Sequence, residues 1–187
     1  MPIDKKIFVT PARMIKYKGT EFLLRSIKEL SDPSAFFVIA TPGTRYREDE
    51  VSYLEEIINL ANNWGISSTF EVKFWDYTIM PFAYNAADAL ILPSQTEQFP
   101  MAILEAMASD LPVITTDVGG ISEISRNDIN CCTIKYDDTT ALVNKISQLI
   151  NNPVPFKEAA SKAKGMILKE FTAERMANEY GVLFQDL

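Results

Sequence analysis

The sequence predicts an α/β fold, a doubly wound parallel sheet of the Rossmann-like kind, and three observations predict it. Short apolar runs alternate along the whole chain with longer segments whose apolar residues recur at helical spacing. At least one run, ALIL at 89–92, is apolar throughout and bounded by Asp88 and Pro93, as a strand buried on both faces should be. With 47% hydrophobic and 23% charged residues, the 187 residues have the composition of a single globular domain with a sizeable core, 1–187, without repeat or linker.

Each element follows from local chemistry. The run IFVT at 7–10 reads as the first strand, after which Pro11 and Ala12 turn the chain into a basic loop containing Arg13, Lys16 and Lys18. Thr20 suits the N-cap of a helix burying Phe22, Leu23, Ser26, Ile27 and Leu30. FFVIA at 36–40 is the second strand, with Thr41-Pro42-Gly43 as its turn. Val51, Leu54, Ile57, Ile58 and Ala61 mark the inward stripe of the next helix, which Gly65 ends. The run Glu48, Asp49, Glu50 resembles a metal cluster, but acidic residues in a first helical turn favour the macrodipole and are expected to be solvated.

Residues 69–75 alternate apolar and polar, so they predict a less buried strand toward a sheet edge. A short helix at 79–86 leads into strand 89–92. Pro100 suits the first position of a helix whose residues 101–108 are apolar except Glu105, so that helix is expected to be covered on nearly every side. Residues 112–115 and 132–134 are the last strands. Helices follow at 140–149, 156–170 and from 172 onward, the last carrying an apolar stripe of Met176, Tyr180, Leu183 and Phe184.

Composition excludes several functions. A net charge of −7 without a run of lysine or arginine argues against a nucleic-acid partner. The absence of histidine excludes a Ser-His-Asp machine and a histidine metal site within these residues. Adjacent Cys131 and Cys132 suit neither an ordinary disulfide nor a metal site, and no signal peptide or membrane span is expected, so the cytoplasm is the expected compartment.

In a doubly wound sheet, ligands sit beyond the C-terminal strand ends. Three loops are expected there: 11–19, 94–100 and 116–120. The first brings Arg13, Lys16 and Lys18 beside Gly19, and the second leads to a helix N-terminus whose free N–H groups favour an anion. Together they predict a phosphate or diphosphate site that needs no metal, although such a basic loop is also compatible with a solvated turn. No G-x-G-x-x-G or Walker A pattern follows the first strand. A buried Glu105 needs either a lysine or arginine partner or a ligand, and both stay open from burial alone. The Gly119-Gly120 pair lets backbone approach something closely.

These residues resemble the C-terminal, donor-binding domain of retaining GT-B glycosyltransferases of the group 1 family, also called glycosyltransferase family 4. Arg13 with Lys18-Gly19 is similar to that family's basic pair. The segment from Pro93-Ser94 through Glu97, Phe99-Pro100 and Glu105 is similar to its E-x7-E motif, and VITTDVGGISEI at 113–124 continues in its manner. The resemblance implies half of a GT-B fold and a nucleotide-diphospho-sugar as substrate, with no cofactor or metal. Arg13, Lys18 and Glu97 are then the catalytic set: the two cations hold the diphosphate and Glu97 bonds sugar hydroxyls. Glu105 accepts from the ribose, the loop amides around Phe99 and Met101, Pro100 excepted for want of an N–H, face the donor, and Gly19, Gly119 and Gly120 complete the donor-binding positions.

The resemblance further implies an absent N-terminal acceptor domain, which would carry any peripheral membrane association, and transfer that fails in the isolated domain. Gln98, where glycine is frequent in the family, bears on sugar fit; Trp75 is expected in the core. Two other classes stand beside this reading, a non-catalytic nucleotide-sugar sensor and a sugar-nucleotide epimerase of the same fold.

Overall fold

The computed structural model describes residues 2–42, 47–125 and 130–185; Gly43 of the expected turn lies outside them. Six strands form one parallel sheet: β1 (Lys6–Pro11), β2 (Ala35–Pro42), β3 (Phe70–Trp75), β4 (Ala89–Leu92), β5 (Val113–Thr116) and β6 (Cys132–Ile134), in the order β3-β2-β1-β4-β5-β6. The eight helices of the described residues are α1 (Thr20–Leu30), α2 (Glu48–Trp64), α3 (Met80–Ala86), α4 (Met101–Ala108), α5 (Ile121–Ile124), α6 (Thr139–Asn151), α7 (Val154–Glu170) and α8 (Ala173–Gln185). This is the doubly wound Rossmann-like sheet the sequence predicts, with β3 at one edge.

Strand parity builds the two core layers. Phe8, Phe37, Ile39, Ile91 and Ile114 point to one face, where α1, α2 and α6 cover them, and Phe8 stacks on Phe37 at 5.1 Å. Val9, Leu90, Leu92 and Val113 point to the other, against Ile103 and Met107 of α4 and Ala163 and Ile167 of α7. Each such fully buried large side chain stabilises the fold by roughly 1.5–3 kcal/mol. Among the described residues no helix is long and apolar enough to cross a membrane.

Several expectations change. Gly19, with φ +74°, is the N-cap of α1; Thr20 is its first helical residue, and among the described residues its buried hydroxyl has no partner. The buried stripe of α2 is Glu50, Tyr53, Ile57 and Ala61, while Val51 and Ile58 are exposed: the large Tyr53 ring claims the core and rotates the helix away from the all-aliphatic face. Pro100 caps α4 in an extended conformation instead of opening it, so the helix begins at Met101. Nor is α4 covered all round. Ile103, Leu104, Ala106 and Met107 are buried, but Met101 and Glu105 are exposed. The short α5 and a 3-10 turn at Lys16–Lys18 were not expected, and α8 buries none of its residues.

Candidate functional site

The strand order reverses between β1 and β4, and this switch point is where a doubly wound sheet opens a crevice. A cavity of about 320 Å³ lies beyond the strand ends there, and Arg13, Lys18, Trp75, Tyr84, Ala102 and Glu105 line it. Trp75 is only half-buried: it packs on the core layer beneath α4 and also forms a crevice wall, so its expected core role is half the truth.

The basic loop is anchored by close backbone approach. A Cβ on Gly19 would lie 1.9 Å from the Pro93 carbonyl oxygen, so only glycine lets this loop sit against the one after β4. The Gln95 N–H donates to the Tyr17 carbonyl at 2.8 Å and joins the same two loops. Lys18 Nζ then reaches both carboxylate oxygens of Glu97, at 2.8 and 3.0 Å, while Ser94 Oγ donates to Glu97 Oε1 at 2.6 Å. The Glu97 side chain is 8% exposed. Two of the three Lys18 protons are engaged, and the third is available to a ligand oxygen.

Arg13 is held differently. Its Nε donates to Glu50 Oε1 at 2.8 Å, and Glu50, almost fully buried, also accepts from the Arg47 N–H at 3.2 Å. The expectation that Glu48, Asp49 and Glu50 are all solvated is therefore corrected at Glu50. The carboxylate can be buried because a guanidinium and a helix-start N–H satisfy it. Among the described residues no three acidic, cysteine or histidine side chains converge as a metal site. Lys16 does not join the crevice; it turns outward toward Glu56 at 3.5 Å.

The glutamate loop is clamped from the β5 side. Thr116 Oγ1 donates to the Ser94 carbonyl at 2.6 Å, and the Gly120 N–H to the Gln98 carbonyl at 2.9 Å. Cβ atoms on Gly119 and Gly120 would stand 1.7 Å and 2.0 Å from the Glu97 and Gln98 carbonyl oxygens. What this glycine pair approaches is thus the chain's own loop, and its contribution to a ligand site is to fix Glu97.

Glu105 is the other correction. It is exposed toward the crevice, not buried, and its neighbour is no cation: Tyr84 Oη donates to Glu105 Oε2 at 2.9 Å. Burial, and secondarily the Glu105 charge, push the Tyr84 phenol well above its ordinary value, so it stays a donor. The side chains of Phe99 and Met101 do not enter the crevice. They line a separate groove of about 520 Å³ against Phe171 and Met176, with Phe99 6.0 Å from the Phe171 ring.

Sequence reasoning missed Glu50 and Tyr84 as site residues. Glu50 stands three residues after the N-cap Arg47, the place from which a glutamate reaches back to the capping N–H. Tyr84 is the one phenol in a small helix of otherwise weak polarity, and a buried phenol needs an acceptor.

A family model described as glycosyl transferases group 1 matches residues 2–166. An uncharacterized glycosyltransferase of Haemophilus influenzae is 22% identical over 184 residues, 97% of this chain and 50% of that protein. HepE of Anabaena, solved in complex with UDP, matches with a TM-score of 0.90 at 19% identity over 98% of this chain and 50% of that one. The C-terminal domain of LpcC, a glycosyl transferase group 1 family protein of Francisella tularensis, matches with a TM-score of 0.80 at 20% identity, covering 90% of this chain and 87% of that one. At these identities the structural likeness is one of fold, the expected half of a GT-B architecture. The chain spans about half the length of the curated relatives it matches. By the match that runs through both clamped loops and all six strands of the sheet, the chain belongs to the glycosyl transferases group 1 family.

Proposed function

We propose that this chain is the donor-binding domain of a retaining glycosyltransferase and holds a nucleotide-diphospho-sugar at the switch-point crevice. The observation that carries this reading is the convergence of Arg13, Lys18 and Glu105 on one crevice. Two cations suit a diphosphate, and a carboxylate is an acceptor suited to a vicinal diol. HepE, of the same fold, was solved with UDP and with UDP-glucose, which supports a nucleotide sugar as the ligand here.

In this reading Glu105 accepts from the ribose hydroxyls. Glu97, steadied by Lys18 and Ser94, offers its remaining lone pair to a hydroxyl of the sugar. When the bond between the anomeric carbon and the diphosphate oxygen breaks, its electron pair leaves with the diphosphate. Arg13, the free proton of Lys18 and the first N–H groups of α4 stabilise that charge without a protein-bound metal. The acceptor site belongs to a second, N-terminal domain, and the isolated chain binds donor without efficient transfer. Membrane contact, where it occurs, runs through that domain.

Arg13→Ala or Lys18→Ala in the two-domain enzyme is expected to lower kcat by about 100- to 1000-fold. Near-normal turnover by either variant contradicts the assignment. A sensor is distinguished by donor binding without turnover even when the second domain is supplied.

A further inference from the structure

We propose that Tyr84 is a positioning residue: it fixes the Glu105 carboxylate for the ribose and so sets the preference of the crevice for ribonucleotides over deoxyribonucleotides. The inference rests on the ribose role given to Glu105 above and adds a residue that neither the motif nor its spacing points to.

Glu105 stands exposed on α4, where a glutamate side chain ordinarily samples many rotamers. Among the described residues it has no cationic partner, and its only side-chain hydrogen bond comes from Tyr84 at 2.9 Å. Tyr84 is the opposite kind of residue. It is 3% exposed, locked in the core layer with Leu90, Leu92 and Met107, and carried by α3, whose first turn is stiffened by Pro81.

A rigid, buried donor therefore holds one oxygen of a mobile, exposed acceptor at the wall of the crevice both residues line. Tyr84 occupies one lone pair of Oε2, which leaves Oε1 and the second Oε2 lone pair for a diol. Holding the carboxylate before the ligand arrives removes the ordering cost that a free glutamate would incur on binding. The phenol keeps its proton at all ordinary pH values, so the arrangement does not switch off near neutrality.

The competing account is that Tyr84 only packs, its hydroxyl taking the nearest acceptor. Tyr84→Phe keeps the ring and removes the hydroxyl, and calorimetry separates the accounts. UDP, GDP and ADP are titrated into the chain alongside their 2′,3′-dideoxy counterparts, and the ratio of ribo to dideoxy affinity is read for the best binder. Tyr84→Phe is expected to lower that ratio by about fivefold to tenfold through the ribonucleotide alone, with dideoxy affinity unchanged. Glu105→Gln lowers it at least as far, and the double variant goes no further than Glu105→Gln.

An unchanged ratio in Tyr84→Phe, with the ratio lost in Glu105→Gln, overturns the positioning role and leaves the ribose reading standing. An unchanged ratio in Glu105→Gln overturns both, and binding by no nucleotide overturns the donor site itself. If Tyr84→Phe does not fold, Glu105→Asp, which draws the carboxylate back from the phenol and leaves the core intact, is expected to show the same loss; a wild-type ratio there overturns the proposal.

Discussion

Gly19 couples the two halves of the site. Its left-handed backbone costs a non-glycine residue roughly 1–2 kcal/mol, and an added Cβ would also collide with the Pro93 carbonyl. Gly19→Ala is therefore expected to lower the urea midpoint by more than the backbone cost alone and to weaken nucleotide binding, because Lys18 and Glu97 lie on the loops it holds together; an unchanged midpoint contradicts the clamp. A second residue-scale consequence is alkaline lability. Burial pushes the Tyr53 phenol from 10.0 up to about 12. A folded value above the unfolded one means that the phenol's contribution is fully present below the unfolded value and is lost as pH rises through the folded one. Denaturant midpoints at about pH 8 and about pH 11 should accordingly differ, with the alkaline one lower. Arg13, Lys18 and Glu105 were legible as neighbours because their segments follow β1 and β4, whose ends share the crevice. Glu50 and Tyr84 were not, since their meaning lies in partners 37 and 21 residues away.

Elements were legible where burial is two-sided and ambiguous where it is not. The runs at β1, β4 and β5 could only be strands, and β4 fell where its apolar run does. The buried face of α2 differs from the aliphatic stripe because Tyr53 takes the core position, and the cover of α4 differs because composition does not reveal that a crevice opens beside Glu105. The last helix is the clearest case. Its stripe of Met176, Tyr180, Leu183 and Phe184 reads equally as packing on its own sheet or as a face for something else, and in the structure all four are more than half exposed. Tyr180 and Phe184 stack on each other at 6.3 Å. Leu183→Glu in the isolated chain is thus expected to change stability by less than about 0.5 kcal/mol, the range for uncovered surface positions. A loss of several times that in a thermal or urea melt would mean α8 is covered in this chain after all.

At the scale of the whole molecule, the order β3-β2-β1-β4-β5-β6 explains why residues far apart in sequence meet. The switch between β1 and β4 turns the loop carrying Arg13 and Lys18 toward the helix carrying Glu105, and the β5 loop buttresses the Glu97 loop that joins them. The sheet supplies rigid backing, the glycines supply close approach, and the charges are held by Glu50, Glu97 and Tyr84 before any ligand arrives. The most direct test is calorimetric titration of this chain with UDP, GDP, ADP and their sugar conjugates, repeated with Arg13→Ala. The account predicts that at least one nucleoside diphosphate binds, and that Arg13→Ala weakens it about tenfold or more. Binding by none of them, or equal binding by the variant, would contradict it.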